Sequence, residues 1–105
     1  MDKIPTEIIE KIKSYVAELG KNNYPIKTAI LYGSYAKGTF TEWSDIDVAL
    51  VSEAFEGNRF WDKERIRKIK MKIDTSISPL PYRPEDFNES DLFVKEIIKT
   101  GIRIV

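Results

Sequence analysis

Two aspartates one residue apart, Asp45 and Asp47, open the apolar run DIDVALV, and a Gly33-Ser34 pair ends another apolar run, IKTAILYG, ten residues earlier. In an extended segment a spacing of two puts both carboxylates on one face, with Cα atoms about 6–7 Å apart. That arrangement suits oxygen ligation of Mg²⁺, as one ion or as two a few ångströms apart. A glycine at a strand-to-helix junction accepts the φ angles of a tight turn and leaves room for a phosphate against the backbone. The free amides of the following turn then face an anion, and Ser34 adds a hydroxyl donor. Each signal alone has a plainer explanation. A turn with an N-cap accounts for Gly-Ser, and a solvated strand end accounts for two acids. Ile46, Val48, Leu50 and Val51 favour the mouth of a buried strand over a solvent-facing one, and ligands gather at such mouths in sheets with helical crossovers.

The residues that are missing narrow the chemistry. With no His and no Cys there is no imidazole base, thiol nucleophile, disulfide or zinc site of the usual kind. An enzyme built from this set must work with carboxylates, Lys, Tyr, backbone amides and a hard metal ion. Lys plus Arg and Asp plus Glu number 17 each, a balance that gives no support to general nucleic-acid or membrane-surface binding. No apolar run is long enough to span a bilayer, and MDKIPTEIIEK lacks the apolar core of a signal peptide. A cytoplasmic protein is expected. A chain of 105 residues is read as one domain, residues 1–105, with no linker or repeat.

The positioning elements follow from periodicity. TEIIEKIKSYVAEL places Ile8, Ile9, Ile12, Tyr15, Val16 and Leu19 on one helical stripe, entered at Pro5-Thr6 and left at Gly20. IKTAILYG is a strand, Ser34 to Lys37 a brief helix, and DIDVALV a second strand with Asp45, Asp47, Ala49 and Val51 on one face. FWDKERIRKIKMK predicts a helix with Phe60, Ile66 and Ile69 inward, IDTSIS a third strand, and PLPYRPEDF a stiff loop. Asn88 or Ser90 is expected to cap a last helix that carries Leu92, Phe93, Ile97 and Ile98 and closes at Gly101, with IRIV as a terminal edge strand. The order α-β-α-β-α-β-α predicts a mixed α+β fold, a small mixed sheet with helices packed on it.

Taken together, G-S, ten residues and D-x-D resemble the signature of the minimal nucleotidyltransferases of the DNA polymerase beta superfamily, with GSYAKG and SDIDVALV matching in spacing and surroundings. The likeness extends over almost the whole chain. It implies the nucleotidyltransferase fold and a site in which Gly33, Ser34 and Lys37 meet the nucleotide, Lys37 standing where many relatives carry Arg. It further implies that Asp45 and Asp47 bind the metal ions holding the triphosphate, two Mg²⁺ with Mn²⁺ as the alternative. A third acid on a later strand shares the catalytic metal and helps deprotonate the acceptor, and Asp74 is the acid the sequence offers for it. Lys37 reads equally well as an exposed loop residue. Tyr35 and Trp43 fit core packing or loop anchoring better than base stacking. The basic series from Lys63 to Lys72 goes most of the way round a helix, as a solvated face would.

Such small proteins resemble the antitoxin half of toxin–antitoxin pairs. The expected activity is then transfer of NMP, AMP from ATP first, to a tyrosine hydroxyl of a HEPN-type toxin partner. The alternatives are transfer to a small-molecule hydroxyl such as an antibiotic's, and a non-catalytic module that neutralises its partner by occlusion. Tyr82, Arg83 and Phe87, in the loop after the Asp74 segment, are candidates for an exposed contact rim, with core packing an equal reading for Phe87.

Overall fold

The structure, a computed structural model, describes residues 4–105 apart from the side chain of Arg59. Helix α1 (Thr6–Lys21) leads to strand β1 (Thr28–Tyr32), the short helix α2 (Ser34–Lys37), strand β2 (Ile46–Val51) and helix α3 (Arg59–Lys70). Strand β3 (Ile77–Tyr82), a 3-10 turn (Pro84–Asp86), helix α4 (Leu92–Thr100) and strand β4 (Ile102–Arg103) complete the chain. The sheet order is β3-β2-β1-β4, with β2 and β3 parallel and β1 antiparallel to both β2 and β4. The expected mixed sheet with packed helices is the fold observed.

Alternation along the strands divides the core in two. Leu31, Ile46, Val48, Leu50 and Ile77 meet Ile8, Ile12, Tyr15 and Leu19 of α1 and Ile66 and Ile69 of α3 on one face. The buried Tyr15 hydroxyl donates to the Ile66 carbonyl at 2.9 Å, tying the two helices together. Ile30, Ala49, Val51 and Tyr82 meet Val94 and Ile97 of α4 on the other face. Among the described residues no helix is long and apolar enough to cross a membrane.

Five expectations are corrected. Helix α1 runs through Gly20 to Lys21, and the left-handed residue after it is Asn23, at φ 69°. Phe60 is 68% exposed and packs edge-on against Trp61, while the buried stripe of α3 starts at Asp62, 2% exposed. That acid is tolerated inside because it accepts from the amides of Glu56 and Gly57 at 2.9 and 3.0 Å.

The third strand is ISPLPY, not IDTSIS. Residues 71–76 form turns after α3, and PLPY, expected as loop, is paired with β2 throughout. Proline is accommodated because the Ser76 and Tyr82 carbonyls accept from Ile46 and Ser52, so even-numbered residues bond toward β2. The ring nitrogens of Pro79 and Pro81 therefore turn outward, where no amide is needed.

Asp91, rather than Asn88 or Ser90, caps α4, accepting from the amides of Phe93 and Val94. Asn88 instead takes the Ser90 amide at 3.0 Å. Val94 and Ile97 are then the inward residues, and Leu92, Phe93 and Ile98 face solvent.

Candidate functional site

Gly33 sits at φ 75° between β1 and α2, in the left-handed region that glycine alone enters cheaply. A Cβ on it would lie 2.3 Å from Oδ2 of Asp47. The glycine therefore serves both the turn and the close approach of the second aspartate. Gly38, also at positive φ, closes α2 after one turn. Ser34 begins that turn, whose first amides have no partner within the helix.

Asp45 is exposed immediately before β2, and Asp47 is half-buried as the second residue of β2. Desolvation, and then the neighbouring charge of Asp45, raise the Asp47 carboxyl above the usual range, and no donor from a described residue offsets them. A half-buried carboxylate with a like charge two residues away and no hydrogen-bond donor is a fitting oxygen ligand for a divalent cation. These two acids are the pair that would hold one.

Asp74 is differently placed. It lies in the turn before β3, not on the strand, and its Oδ2 is 2.7 Å from Nζ of Lys11 on α1. Its Oδ1 accepts from the Ser76 amide at 2.8 Å and from the Ser76 hydroxyl. The Lys11 hydrogen bond, then those from Ser76, hold the carboxyl down at about 2. Among the described residues no three acids are grouped closely enough to hold a metal ion. The structure thus brings Gly33 and Asp47 together, sets the charge of Asp45 near enough to act on Asp47, and engages the Asp74 oxygens with Lys11 and Ser76.

Of the other candidates, Lys37 is exposed at the end of α2. Tyr35 is buried and stacks on Phe40 at 4.5 Å, so it packs as expected. Trp43 is 86% exposed, so the core packing expected of it is not found. Arg83 pairs with Asp86 at 2.7 Å, and Phe87 packs edge-on against Tyr82 at 5.2 Å. A hollow of about 610 Å³ lies around Arg83, Glu85, Asp86 and Asp91, away from the Asp45–Asp47 pair. The sequence reading passed over Ser78. Its position is visible only in the register, which sets Ser78 opposite Asp47.

The family model of the nucleotidyltransferase domain matches residues 9–104. The chain belongs to that family. Among relatives of this nucleotidyltransferase, the Methanocaldococcus jannaschii protein named "Putative protein adenylyltransferase MJ0141" is 30% identical over 102 residues, covering 93% of this chain and 96% of its own. A second from that organism, "Putative protein adenylyltransferase MJ1215", is 44% identical over 46 residues, covering 44% of this chain and 52% of its own. A crystal structure described as a putative nucleotidyltransferase from Sulfolobus solfataricus superposes with a TM-score of 0.65 at 16% identity, covering 93% of this chain and 79% of that one. At that identity the superposition speaks for the fold of the nucleotidyltransferase and for nothing finer.

Proposed function

We propose that this nucleotidyltransferase moves AMP from ATP to a hydroxyl on another protein, a tyrosine of a HEPN-type toxin, and so acts as its antitoxin. The observation that carries the reading is the packing of Asp47 against Gly33, which sets a carboxylate without a donor among the described residues beside a glycine turn. Ser34 and the first amides of α2 would bind the triphosphate, and Asp45 and Asp47 would hold Mg²⁺ or Mn²⁺ against it. Bound there, the metal supplies charge neutralisation and in-line alignment, most of what phosphoryl transfer needs. Lys37 adds an exposed positive charge at the far end of the same turn.

Two observations support a protein acceptor. The curated relatives carry the name protein adenylyltransferase. Phe93 meets Tyr32 edge-on at 5.8 Å, and Tyr32 is the register neighbour of Asp47 on β1. The exposed Leu92 and Phe93 therefore offer an apolar rim beside the site, fit for a partner surface.

The test is reaction of the purified chain with labelled ATP, Mg²⁺ and the candidate partner, read by mass spectrometry. Addition of AMP to a partner tyrosine, lost in Asp45→Asn and Asp47→Asn, is the expected result. Labelling of a small hydroxyl compound alone would replace the acceptor. Neutralisation of the partner by the double variant, without labelling by any form, would make the chain a binding module.

A further inference from the structure

The parallel register pairs Ile46 with Ile77 and Asp47 with Ser78. Ile77 shares a core with Ile46, while Leu80 packs with Ala49 and Val51 on the opposite face. Alternation then puts Ser78 on the face that carries Asp47. Asp74 comes three residues before the strand begins, and each of its oxygens already has a partner, Lys11 for one and Ser76 for the other. A carboxylate so engaged keeps one lone-pair site, on the oxygen that meets Lys11, and a cation bound there would sit against the Lys11 ammonium.

Resting on the nucleotide site proposed above, we infer that Ser78 occupies the third-strand position beside Asp47, so that this chain meets its cation with two carboxylates and a hydroxyl. Asp74 is in turn a latch that fastens the α3–β3 turn to α1. Two carboxylates match the charge of one divalent ion but provide few of the six oxygens it takes. The phosphates of the nucleotide must supply others, and the cation is held well only together with the nucleotide.

Mn²⁺ binding, measured by electron paramagnetic resonance with and without a non-hydrolysable ATP analogue, tests this without relying on turnover. Without nucleotide, Ser78→Asp should tighten Mn²⁺ binding about tenfold or more by adding a third carboxylate. Asp74→Asn and Lys11→Met should leave Mn²⁺ affinity within about twofold and lower the melting temperature, as loss of a latch would. Asp47→Asn should lose Mn²⁺ binding in the presence of the analogue. The inference is overturned if Asp74→Asn weakens Mn²⁺ binding as much as Asp47→Asn does. It is equally overturned if Lys11→Met tightens binding by freeing Asp74, or if a folded Ser78→Asp binds no better than wild type. Should Asp74→Asn fail to fold, Lys11→Met and Ser78→Asp still decide the matter. Unchanged binding in both Asp45→Asn and Asp47→Asn would instead remove the site itself.

Discussion

On the face of the sheet covered by α1 and α3, long aliphatic side chains from two helices and three strands close into one core, and the Tyr15 hydroxyl is the polar atom that joins its helices. The face covered by α4 is thinner. Val94 and Ile97 cover Ile30, Ala49 and Val51, and beyond them the same face carries half-buried Tyr32, Asp47 and Ser78. The contrast teaches how so small a chain holds an unfavourable group. Burial on one face supplies the stability, so the other can keep an acid that meets no donor from a described residue beside a left-handed glycine.

Breaking the closed face should cost most. Leu50→Ala, at a fully buried central position, is expected to lose about 3 kcal/mol in denaturant unfolding, the usual price of a core cavity. On the open face Gly33→Ala should cost about 1–2 kcal/mol, because its φ is positive and its Cβ would strike Asp47. Its larger effect is on function: displacement of that carboxylate by about 1 Å should lower transfer about 100-fold in a steady-state assay.

The Lys11–Asp74 pair should give a pH signature. Asp74 is held at about 2 in the folded chain against an ordinary 3.8, so its contribution is complete above pH 4 and fades as pH falls toward 2. With the Lys11 side chain 37% exposed, screening leaves about 1 kcal/mol, and Lys11→Met should flatten that acid limb in unfolding curves recorded between pH 2 and 5. Asp47→Asn should change stability by no more than about 0.5 kcal/mol, since it removes a like-charge neighbour and no hydrogen bond. Leu92→Ser, 80% exposed, should likewise leave unfolding within about 0.5 kcal/mol and weaken only association with the proposed acceptor protein, measurable by titration calorimetry. A large loss of stability in either of these last two would erase the distinction between the faces.

Much of this was legible locally. The bounds of α2, the sidedness of β2 and the G-S to D-x-D interval depend on near neighbours, and the periodicity carried them. What depends on pairing did not show. IDTSIS alternates as well as ISPLPY does, and only the hydrogen bonds to β2 decide between them, so Asp74 was placed on a strand and Ser78 was overlooked. Pro79 and Pro81 read as loop residues because their tolerance rests on which edge their nitrogens face. The burial of Asp62 has no signal in the periodicity of α3, because the amides it serves lie in the loop before that helix.

Those two prolines also govern what the molecule can join. β3 is an outer strand, and its free side lacks two of the donors that an added strand would need. The opposite border is β4, only two residues long. Continuation of the sheet into a second chain, whether as strand donation between proteins or as fibril growth, is therefore blocked on one side and given little template on the other. A protein that docks here has to be recognised by side chains rather than by backbone.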